Sequence, residues 1–152
     1  MRDGFRKRVR SWRPCGVAER LAFVSVAVAS VLAAATAGAA DETAEHDYVL
    51  HCSGCHRADG TGAPEEVPSL VGIDRFLGSA EGRAYLIRAP GVAQAPVGDE
   101  RLAELMNWVV VRFGATRKSP GYTEAEVAAW RRDPLRDPTE LRARLLADTA
   151  AD

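Results

Sequence analysis

An all-α fold is the expectation for this chain, on three observations. No run of strand length alternates apolar and polar residues, the pattern that a half-buried strand requires. Apolar residues recur instead at three- and four-residue spacing, most clearly Leu102, Leu105, Met106, Val109 and Phe113, which is the stripe of a helix facing a core. Helix-start signals stand in front of such stretches. Thr123 with Glu126, ahead of Val127 and Trp130, has the reciprocal arrangement of a capping box. There are no internal repeats and no low-complexity runs.

Residues 1–39 read as an address rather than as fold. Arg2, Arg6, Lys7, Arg8, Arg10, Arg13 and Arg20 form a basic n-region, Leu21 to Ala35 an apolar h-region, and Ala37-Gly38-Ala39 a small-x-small cleavage pattern. Cleavage is expected after Ala39, with Ala40 as the alternative. The uncharged stretch from Leu21 to Ala40 is long enough to span a bilayer if retained, but its alanine-rich second half is a weak anchor. Either route puts the remainder outside the cytoplasm. No adjacent Arg-Arg pair marks a twin-arginine signal.

The mature chain then runs from Ala40 to Asp152. It keeps thirteen Lys and Arg against nineteen Asp and Glu, a net of −6, where the whole chain is −1. An exported acidic domain of this kind excludes nucleic acid and anionic lipid as partners and suits a basic docking face. Membrane association is expected only if the N-terminal segment is retained.

Within the mature chain, residues 42–51 suit a helix, with Ala44, Tyr48 and Val49 able to share a face. Residues 57–78 are punctuated by Gly60, Gly62, Pro64, Pro68, Gly72 and Gly78 and read as loop. A short helix over 79–88 must stop near Ala89, because Pro90 and Gly91 follow. The strongest helix comes next, with Asp99 as expected N-cap and Gly114 as its end. Pro134 stops the Thr123 helix, and Asp137, Pro138 and Glu140 open a last one carrying Leu141 and Leu145. The expected division is 1–39 signal, 40–114 main domain and 115–152 helical C-terminal extension.

Between the first helix and the loop stands Cys52-Ser53-Gly54-Cys55-His56. C-x-x-C-H is the attachment pattern of c-type haem. Two thiols at this spacing add across the two vinyl groups of one haem, and the following histidine becomes the proximal iron ligand. Cys15 leaves with the signal, so no cysteine remains for a structural disulfide. A zinc site would want a second Cys/His cluster, and His46 and His51 are the only other histidines. A redox-active C-x-x-C is the remaining alternative. No Ser/His/Asp set, phosphate loop or H-E-x-x-H is present.

From residue 42 to 114 the chain resembles a class I monohaem cytochrome c. The resemblance rests on the N-terminal helix, the C-x-x-C-H, the loop Asp59-Gly60-Thr61-Gly62, then Pro68-Ser69-Leu70-Val71-Gly72, and a last amphipathic helix carrying Trp108. It implies a class I cytochrome c fold wrapping one covalent haem c, with the C-terminal extension outside it. Cys52 and Cys55 would carry the thioethers and His56 the proximal nitrogen. The Pro68 carbonyl would accept the other ring N–H of His56, and Tyr48 would pack near Trp108 where the first and last helices cross.

The sequence departs from that family on the far side of the iron. The loop that usually offers a methionine reads Val92-Ala93-Gln94-Ala95-Pro96-Val97, with Ala95 at the matching position. Met106 is the only methionine after the initiator and is the candidate distal ligand, set in a helix where a core methionine is expected. His51, His46 and Lys118 are lesser candidates. The functional expectation is a periplasmic one-electron carrier, not an enzyme, between a dehydrogenase donor and an oxidase or other cytochrome acceptor. The alternative is a haem protein with an open distal site for a gas or peroxide, or a cytochrome subunit of a periplasmic dehydrogenase complex. For peroxide chemistry the loop supplies only Gln94, with Arg88 just outside it.

Overall fold

Helix α1 covers residues 42–51 in a computed structural model that describes residues 42–116 and 119–151. The expectations for residues 1–39 and for Lys118 fall outside the described residues. Ala44 and Tyr48 are buried on α1, as expected. Val49 is not on that face but 56 % exposed, and its place is taken by Asp47, only 1 % exposed. A carboxylate survives there because the Arg101 guanidinium holds both of its oxygens. That bidentate pair keeps the Asp47 carboxyl below its ordinary pKa in spite of burial.

Helix α2, Ser53–His56, follows after a single turn residue. The segment from Arg57 on is loop, as its glycines and prolines require, but it ends in a 3-10 helix, Ile73–Gly78, that buries Ile73, Phe76 and Leu77. Helix α3, Ala80–Arg88, starts from Ser79, whose side chain accepts from the Gly82 N–H. Pro90 and Gly91 stop it within two residues. Helix α4 spans Asp99–Phe113 and buries Leu102, Leu105, Met106, Val109 and Phe113 together with Ala103 and Val110. Its cap is Gly98 rather than Asp99. Asp99 already lies in the first turn, and its carboxylate is taken by Arg131 at 2.8 Å.

Helix α5, Glu124–Trp130, has the full capping box between Thr123 and Glu126. Helix α6, Thr139–Ala151, opens where Asp137 accepts from the Thr139 N–H at 2.9 Å. Among the described residues no strand forms, and the only bridge is an isolated one between Ala63 and Val67. The chain is all-α. No described helix is long and apolar enough to cross a membrane.

One core unites the described residues, which all fall in the compact unit 38–152. At the crossing of α1 and α4, Tyr48 stacks 5.3 Å from Trp108 and 5.2 Å from Phe113. The extension is built into the same core through Tyr122, Val127 and Leu145. Asp74 closes the end of α4 by accepting from the N–H groups of Ala115 and Thr116.

Candidate functional site

The C-x-x-C-H residues are held at the junction of α1 and α2. Cys52 stays in register with α1 through its N–H to the Tyr48 carbonyl at 2.9 Å. Arg57 then turns the chain out of the helix with φ 61° and ψ 168°, a region that costs a non-glycine residue of order 1–3 kcal/mol. The Tyr48 hydroxyl, from the buried face of α1, donates to the Arg57 carbonyl and fixes that turn.

The loop that follows folds back over His56. Its Gly62 N–H donates to the His56 carbonyl at 3.2 Å, and the Leu70 N–H to Gly60 at 2.7 Å. Gly62 sits at φ 70°, where a Cβ would collide with the Val67 carbonyl oxygen and come within 2.9 Å of the Pro68 one. Only glycine allows this approach. It delivers the Pro68 carbonyl to 3.0 Å from His56 Nδ1. A carbonyl only accepts, so Nδ1 carries the proton. Burial pushes the His56 pKa down, partly opposed by the Pro68 bond. The ring is therefore neutral near pH 7, and Nε2 keeps a free lone pair. That is the tautomer and orientation a metal-ligating imidazole needs.

His56, Cys52 and Cys55 line a cavity of about 400 Å³, within the range of cofactor sites. Its wall is mainly apolar and comes from every part of the fold: Leu70, Ile73 and Phe76, then Tyr85 and Leu86 of α3, Ala89 to Val92 and Ala95 of the next loop, and Leu102, Leu105, Met106 and Val109 of α4. Pro68 and His51 also line it. Met106 thus faces the cavity although it is a buried residue of α4. His46 lies exposed on α1.

Two competing uses of the cysteines find little support. Cys52 and Cys55 are both free. Burial, with the charges of Asp47 and Cys55 adding to it, pushes the Cys52 thiol up to about 11. A dithiol that exchanges disulfides needs a depressed thiol pKa instead. Among the described residues no three His, Cys, Asp or Glu side chains are grouped to hold a metal ion.

The sequence did not point to the extension as part of this site. Pro138 and Arg142 of the segment after Gly114 both line the cavity. Arg88, the cation closest to the loop in sequence, is turned away and paired with Asp133 at 2.6 Å. Gln94 is exposed and absent from the wall. Arg131 holds the loop from outside, donating to the carbonyls of Ala93, Ala95 and Val97 at 2.7–3.2 Å. Only the charge of these arginines is visible in the sequence. Which of them faces inward depends on how α5 and α6 dock. Among known protein families, curated proteins and solved structures, nothing matches the chain.

Proposed function

We propose that the protein is an exported one-electron carrier built around one covalently attached haem c. The observation that carries this reading is the His56 ring, its Nδ1 held 3.0 Å from the Pro68 carbonyl and set beside Cys52 and Cys55 on the wall of one mainly apolar cavity. A haem bound there would supply a single Fe(III)/Fe(II) couple. Cys52 and Cys55 would anchor it through thioethers, and His56 and Met106 would be the ligands of its iron. The Pro68 carbonyl holds the imidazole in one tautomer and makes it a better donor. The apolar wall keeps water off the site and so helps set its potential. The resemblance to class I monohaem cytochromes c supports the same assignment. The export signal places the protein in the periplasm, or on the outer face of the inner membrane if the segment is retained. Its partners there are a dehydrogenase as donor and an oxidase or another cytochrome as acceptor, met through a small transient face.

A second reading has an observation of its own. Ala95 stands on the cavity wall where a ligand would be offered, and the polar Gln94 beside it is exposed. With Met106 acting only as core, the sixth position is open to a small gas or peroxide. Optical spectra of the purified protein with and without carbon monoxide separate the two. The carrier reading predicts a near-infrared sulfur–iron band in the oxidised form and no response of the reduced form to carbon monoxide. A high-spin spectrum that shifts with carbon monoxide would overturn it in favour of the open site.

A further inference from the structure

The loop between α3 and α4 faces the cavity with Ala89, Pro90, Gly91, Val92 and Ala95. None of these side chains is polar, so the loop offers no donor or acceptor side chain to a group in the cavity. Its hold comes from the other side. The Arg131 side chain is only 16 % exposed, and its guanidinium uses all three nitrogens on the loop and the helix that follows. Nε donates to the Ala93 carbonyl at 3.2 Å and Nη2 to the Ala95 carbonyl at 2.7 Å. Nη1 donates to the Val97 carbonyl and to the Asp99 carboxylate, each at 2.8 Å.

The carbonyls of three alternate residues converge on one cation only while the loop keeps this path. A planar guanidinium with its fixed fork suits such a set, and a single ammonium does not. Hydrogen bonds from a charged donor are also stronger than neutral ones. The ends of the loop are not locked in this way. Gly91 has φ 87°, and a Cβ on Gly91 or on Gly98 would meet nothing within 4 Å. The chain can pivot at both glycines, and the latch lies between them. That latch belongs to the C-terminal extension, since Arg131 follows directly on α5. A separate tie, from the Leu135 N–H to the Arg88 carbonyl at 2.8 Å, joins the extension to the end of α3 and leaves residues 91–98 untouched.

We propose that Arg131 is a positioning residue that latches the α3–α4 loop and so limits entry to the cavity of external ligands about the size of imidazole. This rests on the haem reading of the cavity, because entry is detected at the iron. A haem would occupy a cavity of about 400 Å³ so fully that a further ring fits only if a wall moves. The α3–α4 loop is the wall segment with only turn hydrogen bonds of its own, and it yields once Arg131 lets go. The role is the same whether Met106 binds the iron or the sixth position is open.

The test uses the full exported chain, as wild type and as Arg131→Met, Arg131→Lys and Glu126→Gln. A pyridine haemochrome assay comes first. A wild type without covalent haem overturns the functional reading, and this proposal with it, before any ligand is added. Ferric protein is then mixed with imidazole by stopped flow, and amide exchange across residues 91–98 is followed on the same samples. Arg131→Met is expected to speed imidazole association about tenfold or more and to raise exchange in the loop by a similar factor. Arg131→Lys falls between the two, since one ammonium cannot serve three carbonyls and a carboxylate at once. It carries the test should Arg131→Met fail to fold. Glu126→Gln is the control for general loosening: it weakens the Arg83–Glu126 tie of the extension and keeps the Arg131 bonds, so imidazole enters at the wild-type rate. Wild-type association in the Arg131 variants would overturn the proposal. An equal acceleration in Glu126→Gln would overturn it too, because the extension would then act only by loosening as a whole.

Discussion

Arg83 is 9 % exposed, and its guanidinium is fully used. It donates to both oxygens of Glu126 and to the carbonyls of Pro120 and Gly121, and it lies 4.5 Å over the Tyr122 ring. Burial tends to raise the Glu126 pKa, but bonds from Thr123 and the charge of Arg83 outweigh it, so the carboxyl stays below its ordinary 4.5. A group depressed in this way stabilises the fold above its unfolded pKa and loses that contribution as pH falls through the folded value. Glu126→Gln is therefore expected to cost about 2 kcal/mol at pH 7, measured by urea denaturation. Repeated at progressively lower pH, the difference from wild type should shrink below pH 4.5. A difference that stays constant with pH would show that the charge of Glu126 plays no part.

At the scale of elements, what matters is how the extension holds the loop between α3 and α4. That loop has only turn hydrogen bonds of its own, such as Ala95 N–H to the Val92 carbonyl at 3.1 Å and Val97 N–H to the Ala95 carbonyl at 2.8 Å, and it forms part of the cavity wall through Ala89 to Val92 and Ala95. Arg131 reaches across from the end of α5 and binds three of its carbonyls and Asp99. Arg131→Met keeps most of the side chain's volume and removes these bonds. It should raise amide exchange across residues 91–98 by about tenfold or more while leaving α1 unchanged. Uniform protection in both proteins would mean that the loop is held by its own turns. These elements also mark what could be read beforehand. Helix α4 and the Thr123–Glu126 box are local patterns, complete within a few residues, and were legible. The burial of Asp47 was not, because its partner Arg101 is 54 residues away. The 3-10 helix at Ile73–Gly78 was hidden among glycines. The His56–Pro68 contact was expected through family resemblance alone, since nothing in the eleven intervening residues dictates that the loop folds back.

For the molecule as a whole, the cavity and the extension belong together. Cys52, Cys55 and His56 come from the α1–α2 junction, Pro68 from the loop that covers them, Met106 from α4, and Arg142 from α6. Tyr122, Val127 and Leu145 share the core with Tyr48 and Leu102. In a domain this small, a covalently held haem would add a large apolar surface to a core that the chain alone fills modestly. The account stands or falls on whether that group is attached. Intact mass spectrometry of the chain, exported from cells with an active haem-attachment pathway and then denatured, answers this. The mass should exceed that of the processed polypeptide by one haem, and the excess should vanish when Cys52 and Cys55 are both replaced by serine. A wild-type mass equal to the bare polypeptide, with no porphyrin absorbance retained after denaturation, would contradict the account.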